Sequence, residues 1–239
     1  GGNWRGVEMS FSKFFKLDLK LFHKYKIYYL LIRIVLVYTL ILRQVPSQLS
    51  DTVGTMLIFF DPSLIGFMFL GALILFERND GSLNALSVTP APLGSYMWSK
   101  VITMTIVGII SALSIATLAF GFSTRYIFIA VGVLLTSLVY TLLGFAAVSR
   151  YKSIEGYLSM VMLVMVISML PLLDFFSIIN LDLLYIIPSY SSIELIHSGF
   201  VETKLLEIAS FCAYLILWIA ISFYLAKKYF YKNVIMEGE

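Results

Sequence analysis

The stretch FERNDGSLNALSVTPAPLGSYMWSK, Phe76–Lys100, is a polar interruption in a chain that is otherwise almost all hydrocarbon. Asp80, Gly81 and Ser82 carry turn and N-cap chemistry, and Leu83 and Leu86 lie on one face of the short helix that follows. Pro90 ends that helix by restricting Thr89 to extended backbone. A helix of about two turns does not hold in water by itself, because nucleation is costly, so this one needs a surface to dock against. The exposed leucine pair, with no enzymatic constellation nearby, makes another protein the expected dock.

The flanks decide the fold class. Hydrophobic residues make up 60% of the 239-residue chain and charged residues only 13%, and a mean hydropathy of +0.92 lies outside the range of soluble domains. Apolar runs of about 17 to 25 residues cross a bilayer as helices, and irregular backbone cannot face lipid. Six such runs are expected to span: Ile27–Val45, Met56–Phe76, Trp98–Phe122, Tyr126–Val148, Tyr157–Phe176 and Leu205–Ala226. The expectation is therefore an all-α membrane protein. Residues 1–8 are read as disordered or tag-like, 9–26 as an amphipathic interfacial helix, 27–232 as a single six-helix transmembrane domain and 233–239 as a cytoplasmic tail.

Basic residues near span ends mark the cytoplasmic side. Arg5, Lys13, Lys16, Lys20, Lys24, Lys26, Arg78, Lys100, Arg150, Lys152, Lys227, Lys228 and Lys232 fall on one side, and Arg43, Arg125 and Lys204 on the other. Both termini are thus expected in the cytoplasm, and the net charge of +3 reflects topology rather than a nucleic-acid partner. Cys212 stands alone, which excludes a disulfide or a cysteine metal site within one chain. The first apolar run follows a long charged segment and carries no small-residue cleavage pattern, so no cleavable leader is expected.

Between Phe11 and Tyr25 the sequence has helical period, with Lys13, Lys16, Lys20 and Lys24 on one face and Phe11, Phe14, Phe15, Leu21, Phe22 and Tyr25 opposite. Such a helix lies flat on the inner leaflet. Asp18 projects from its apolar side. There it either sits at a wet edge, the reading favoured by the general exposure of carboxylates, or forms a structural salt bridge to a neighbouring cytoplasmic loop. Arg33 is expected to snorkel, with a polar cavity as the other reading. Asp61-Pro62 in the second run reads as a kink, or as a polar recess near the outer face. Gly108, Ala112 and Ala116 form a stripe suited to packing inside the subunit.

The fifth run carries a Met-rich face and Pro171, and Met162, Met165, Met169 and Pro171 are pathway candidates, with core filling the more general use of methionine. The segment from Ser177 to Gly199 reads as two half-helices broken near Pro188 that dip toward the outer leaflet. Glu194 and His197 in the second half are an i, i+3 pair, too few for a metal site.

The order Glu77, Arg78, Gly81, Ser82, Leu83, Leu86, Thr89, Pro90 and Lys100 resembles the permease subunits of ATP-binding-cassette transporters of the second type. The resemblance extends to a surface elbow helix at Lys13, Lys16, Asp18 and Lys20, six spans, and paired re-entrant half-helices before the last span. Asn84 stands where that family often has Glu, and Pro92 where Ser is common. The resemblance implies half of an exporter, with Leu83 to Thr89 as the coupling helix in a cleft of a separate ATPase subunit. It also implies a second permease copy or paralogue, membrane lipid as surroundings and the cell membrane of a prokaryote as location. The chain has no glycine-rich loop closing on Gly-Lys-Ser or Gly-Lys-Thr, so ATP and Mg are expected on the partner and no cofactor on this chain. An ion-gradient-driven transporter or channel is the alternative, but the third, fourth and sixth runs lack the midplane ionisable groups that such proteins generally use. An intramembrane enzyme would need a nucleophile and a base at the same depth, and Ser111, Ser114 and Ser168 have no such partner in the sequence.

Overall fold

Backbone polar groups in hydrocarbon must be satisfied within their own segment, and helix is the form that does so locally. A computed structural model describes residues 11–24, 26–60, 66–81, 93–123, 125–176, 178 and 181–230. Its regular elements are all helical: α1 (Phe11–Lys24), α2 (Ile27–Leu42), α3 (Ser47–Phe60), α4 (Gly66–Asn79), α5 (Leu93–Phe120), α6 (Tyr126–Val148), α7 (Ile154–Phe175), a 3-10 turn (Asp182–Ile186), α8 (Pro188–His197) and α9 (Leu205–Phe230). Four stretches, Gly94–Phe120, Tyr126–Val148, Ile154–Phe175 and Leu205–Phe230, are long and apolar enough to cross a membrane.

The first expected run is shorter than anticipated. α2 has 16 residues, about 24 Å at 1.5 Å per residue, and ends at Leu42, after which the Gln44 and Val45 N–H groups donate to carbonyls only three residues back, at 3.0 and 3.3 Å, ahead of Pro46, while the Arg43 side chain donates from Nη2 to the Leu118 carbonyl at 3.1 Å. The second run is two helices of 14 residues each. The first of them begins at Ser47 rather than Met56; its start at Ser47 and Gln48 is exposed, and its second half packs against α8, where Thr55 Oγ1 meets His197 Nδ1 at 3.0 Å. Asp61 and Pro62 lie outside the described residues.

α6 is the centre. Its apolar window is 61% buried, against 22% for α7 and 17% for the last helix. α4, α5, α8 and α9 all pack against it. Ile129, Val133, Val139 and Phe145 on α6 are fully enclosed. Gly108, Ala112 and Ala116 are buried within the chain, in line with packing inside the subunit. Of the expected half-helices, the second is α8, with Pro188 at its first turn, where a missing N–H costs nothing. The first is only the 3-10 turn, because Pro188 holds Ile187 in extended backbone at φ −78° and ψ 129°.

α4 and α7 approach most closely at Gly71. A Cβ there would sit 2.0 Å from Tyr157 Cε1. That ring cannot move aside easily: it is 1% exposed, its Oη donates to the Phe67 carbonyl at 2.7 Å, and it stacks on Phe67 at 5.8 Å between centroids. Gly71→Val should therefore destabilise the purified protein by about 1–3 kcal/mol or more, as overpacking does. Thermal unfolding in detergent checks this, with Gly94→Ala, where nothing lies within 4 Å, expected to leave the midpoint unchanged.

Candidate functional site

Three ionised side chains meet where α1, α4 and α5 converge. Lys100 Nζ lies 2.9 Å from Asp18 Oδ1 and 2.6 Å from Glu77 Oε1. The other oxygen of each carboxylate is also bonded, Asp18 Oδ2 by Ser99 Oγ at 2.5 Å and Glu77 Oε2 by Tyr96 Oη at 2.5 Å. Lys100 is 1% exposed and Asp18 is 4% exposed. Every carboxylate oxygen thus has a donor, which is the condition under which ionised groups tolerate burial. The cluster carries two negative charges and one positive.

The local sequence explains the convergence. Phe14, Asp18 and Leu21 recur at helical spacing and form the face of α1 that packs on α5, leaving Lys16, Leu17, Lys20 and Lys24 outward. Tyr96, Ser99 and Lys100 are i, i+3, i+4 on α5 and present one polar face. An aromatic wall of Phe14, Phe145 and Phe230 surrounds Tyr96, with centroids at 5.8, 6.3 and 5.9 Å. The Lys100 ammonium also lies 4.9 Å from the centroid of the Tyr96 ring.

Glu77 lies near the end of α4, which stops at Asn79, and Gly81 follows in left-handed backbone at φ +74°, where glycine alone is unstrained. Arg78 Nη1 donates to the Tyr151 carbonyl at 3.3 Å, tying this end of α4 to the turn between α6 and α7. Both flanks of residues 80–92 are thereby anchored, one by Glu77 and Arg78 and the other by Tyr96, Ser99 and Lys100.

The wet-edge reading of Asp18 is corrected: the carboxylate is buried and paired, and its partner is a helix residue rather than a loop. Lys16 and Lys20 are exposed, and the side chain of Lys13 lies outside the described residues. Of the expected motif, Glu77 and Lys100 are brought together in the cluster, Arg78 bonds the Tyr151 carbonyl instead, and nothing lies within 4 Å of a Cβ built at Gly81. Ser82, Leu83, Leu86, Thr89 and Pro90 lie outside the described residues. The pathway candidates do not share one surface: Met162 and Met169 are 67% and 41% exposed on α7, Met165 is half-buried, and Pro171 is buried. Ser114 back-bonds to Ile110 as a serine in a span should, whereas Ser168 accepts instead from Tyr140 Oη at 2.8 Å. Tyr96 and Ser99 were missed from the sequence, although their shared face with Lys100 was a signal that could have found them.

Four helices long and apolar enough to cross a bilayer, packed into one bundle, define the class as a helical membrane protein. The chain belongs to the fluoroquinolones export permease protein family, whose model matches residues 9–238. It is similar to fluoroquinolones export permease proteins of two Mycobacterium tuberculosis strains, CDC 1551 and H37Rv, each 22% identical over 171 residues, 71% of this chain and 72% of the relative. It is accordingly a membrane permease of an export family, in agreement with the resemblance to permease subunits of ATP-binding-cassette transporters of the second type.

Removing the ammonium leaves two buried carboxylates without their counter-charge, a loss on the order of 3–5 kcal/mol. Lys100→Met should lower the thermal midpoint in detergent far more than Glu202→Gln. The latter breaks only the surface pair with Arg125, in which the Glu202 side chain is 95% exposed, and exposed pairs contribute roughly 0–1 kcal/mol.

Proposed function

We propose that this chain is the transmembrane half of an ATP-driven exporter, moved by a separate ATP-binding-cassette subunit that binds ATP and Mg. The observation that carries this reading is the double anchoring of residues 80–92. Glu77 and Lys100 stand on opposite sides of that segment and bond to each other, while Asp18 links them to α1 and Arg78 links them to the α6–α7 turn. A displacement applied to a leucine pair carried on residues 80–92 would reach α1, α4 and α5 through short, charge-assisted bonds, and the α6–α7 turn through Arg78, rather than dissipate in a loose loop.

In this reading α2 and the α3–α4 pair each cross the cell membrane of a prokaryote, giving six crossings with both termini cytoplasmic. α1 is the elbow helix on the inner leaflet, and the 3-10 turn with α8 is the re-entrant pair. A second copy or paralogue completes the pathway. The apolar face of α7 that its own subunit leaves open, from Met162 to Met169, supports a pathway or partner role for that helix. The relatives' names suggest the cargo: planar aromatic compounds of the fluoroquinolone class.

Inverted vesicles containing this chain and its proposed ATP-binding-cassette subunit are expected to accumulate norfloxacin only with ATP. Leu86→Asp should cut that uptake at least 10-fold while ATP hydrolysis continues, because a carboxylate replaces the apolar contact that transmits the stroke. Equal uptake by vesicles lacking the ATPase would reject the reading in favour of an ion-driven carrier.

A further inference from the structure

A cavity of about 210 Å³ opens between α4, α6, α7 and α9, with Phe67, Leu143, Ala147 and Val164 in its walls and Arg150, Tyr151 and Tyr229 among its lining. The geometry points to this cavity as a binding site for the planar aromatic acid portion of the exported compound. The inference rests on the exporter reading above and deepens it by naming a site and a chemistry.

Arg150 supplies the specificity. Its guanidinium carbon lies 4.2 Å from the centroid of the Tyr229 ring, so one face is stacked and the N–H edges remain to meet a carboxylate in two parallel bonds. None of the three ion pairs among the described residues includes Arg150, and the exposed Glu155, five residues on at the start of α7, forms no ion pair with it. Lys152, Lys227 and Lys228 are exposed close by in sequence, which makes this end of the helices electropositive and draws anions toward it.

The walls supply the shape. Phe67 is held by its stack on Tyr157, and the Tyr151 ring meets the same Tyr157 edge-on at 6.2 Å between centroids, so aromatic faces are fixed in advance rather than ordered by the ligand. Sites that enclose a whole drug-sized molecule run to roughly 300–1,000 Å³. A cavity of about 210 Å³ that is open on one side suits the flat ring system and its acid group, with bulkier substituents outside. Tyr151 lines the cavity and accepts from Arg78, the chain neighbour of Glu77, which connects occupancy of the site to the anchor of residues 80–92.

The test is binding of norfloxacin and of its methyl ester to the full-length chain in nanodiscs of neutral lipid, followed by fluorescence anisotropy. Arg150→Gln should weaken norfloxacin binding at least 10-fold and leave the ester within 2-fold of its wild-type affinity, and Arg150→Lys should recover part of the loss. Ala147→Leu, which fills the cavity, should weaken acid and ester alike. Equal affinity of wild type and Arg150→Gln for the acid, or equal losses for acid and ester in Arg150→Gln, would overturn the site. If ATP-dependent norfloxacin uptake persists in that case, the exporter reading stands without it. If the wild type binds neither compound, the site is overturned too, and ATP-dependent export of an unrelated dye by the same vesicles separates that result from failure of the exporter reading.

Discussion

The Lys100 ammonium, held between Asp18 and Glu77 where almost no water reaches, is the contact from which the rest of this structure takes its geometry. Taking three ionised groups out of water costs several kcal/mol each, and the arrangement tolerates this because Tyr96 and Ser99 complete the set of donors. Such a cluster admits few alternatives. If α1 slid by one residue along α5, Asp18 would leave Lys100 and Ser99 together, with its own charge stranded while Lys100 kept Glu77. The cluster therefore sets the register of α1 on α5 and the closure of α4 onto α5 at one stroke, more sharply than apolar packing does, since hydrophobic contact is non-directional.

The apolar packing then divides the molecule into an enclosed part and an open part. α6 is wrapped by α4, α5, α8 and α9, and its tyrosines find internal partners, as with Tyr140 and Ser168. α7 meets its own subunit mainly through the Tyr157 end and through α8, leaving Met162, Val166 and Met169 outward. Flexible thioethers on an uncovered helix suit contacts that change, whereas the enclosed α6 and the ionic cluster suit parts that move as a block. Rigid anchoring at one end and an uncovered helix beside it are the physical ingredients that an alternating pathway draws upon.

The all-helical class, the polar segment between α4 and α5, the turn at Gly81 and the Pro188 start of α8 were all legible, because each depends on local chemistry: hydrocarbon length, left-handed backbone, a missing N–H. The boundaries around residues 43–60 were not. The Arg43 side chain reaches the Leu118 carbonyl, and the second half of α3 is held against α8, with Thr55 on His197, all of them partners far away in sequence. Asp18 was misjudged for the same reason. A carboxylate on a surface helix is wet unless a cation waits for it, and nothing near residue 18 reveals that Lys100 does.

Composition and periodicity alone determined that this chain lives in a bilayer as helices and that the segment after Glu77 differs in kind from its surroundings. Those conclusions follow from the cost of exposing backbone to lipid, which every residue bears independently. Which charges pair, which methionines face outward, and that Arg150 meets an aromatic cavity rather than a carboxylate were decided only by the tertiary structure. Pairing depends on distances between residues as many as 82 apart in the chain, as for Asp18 and Lys100, and such distances exist only once the helices have packed.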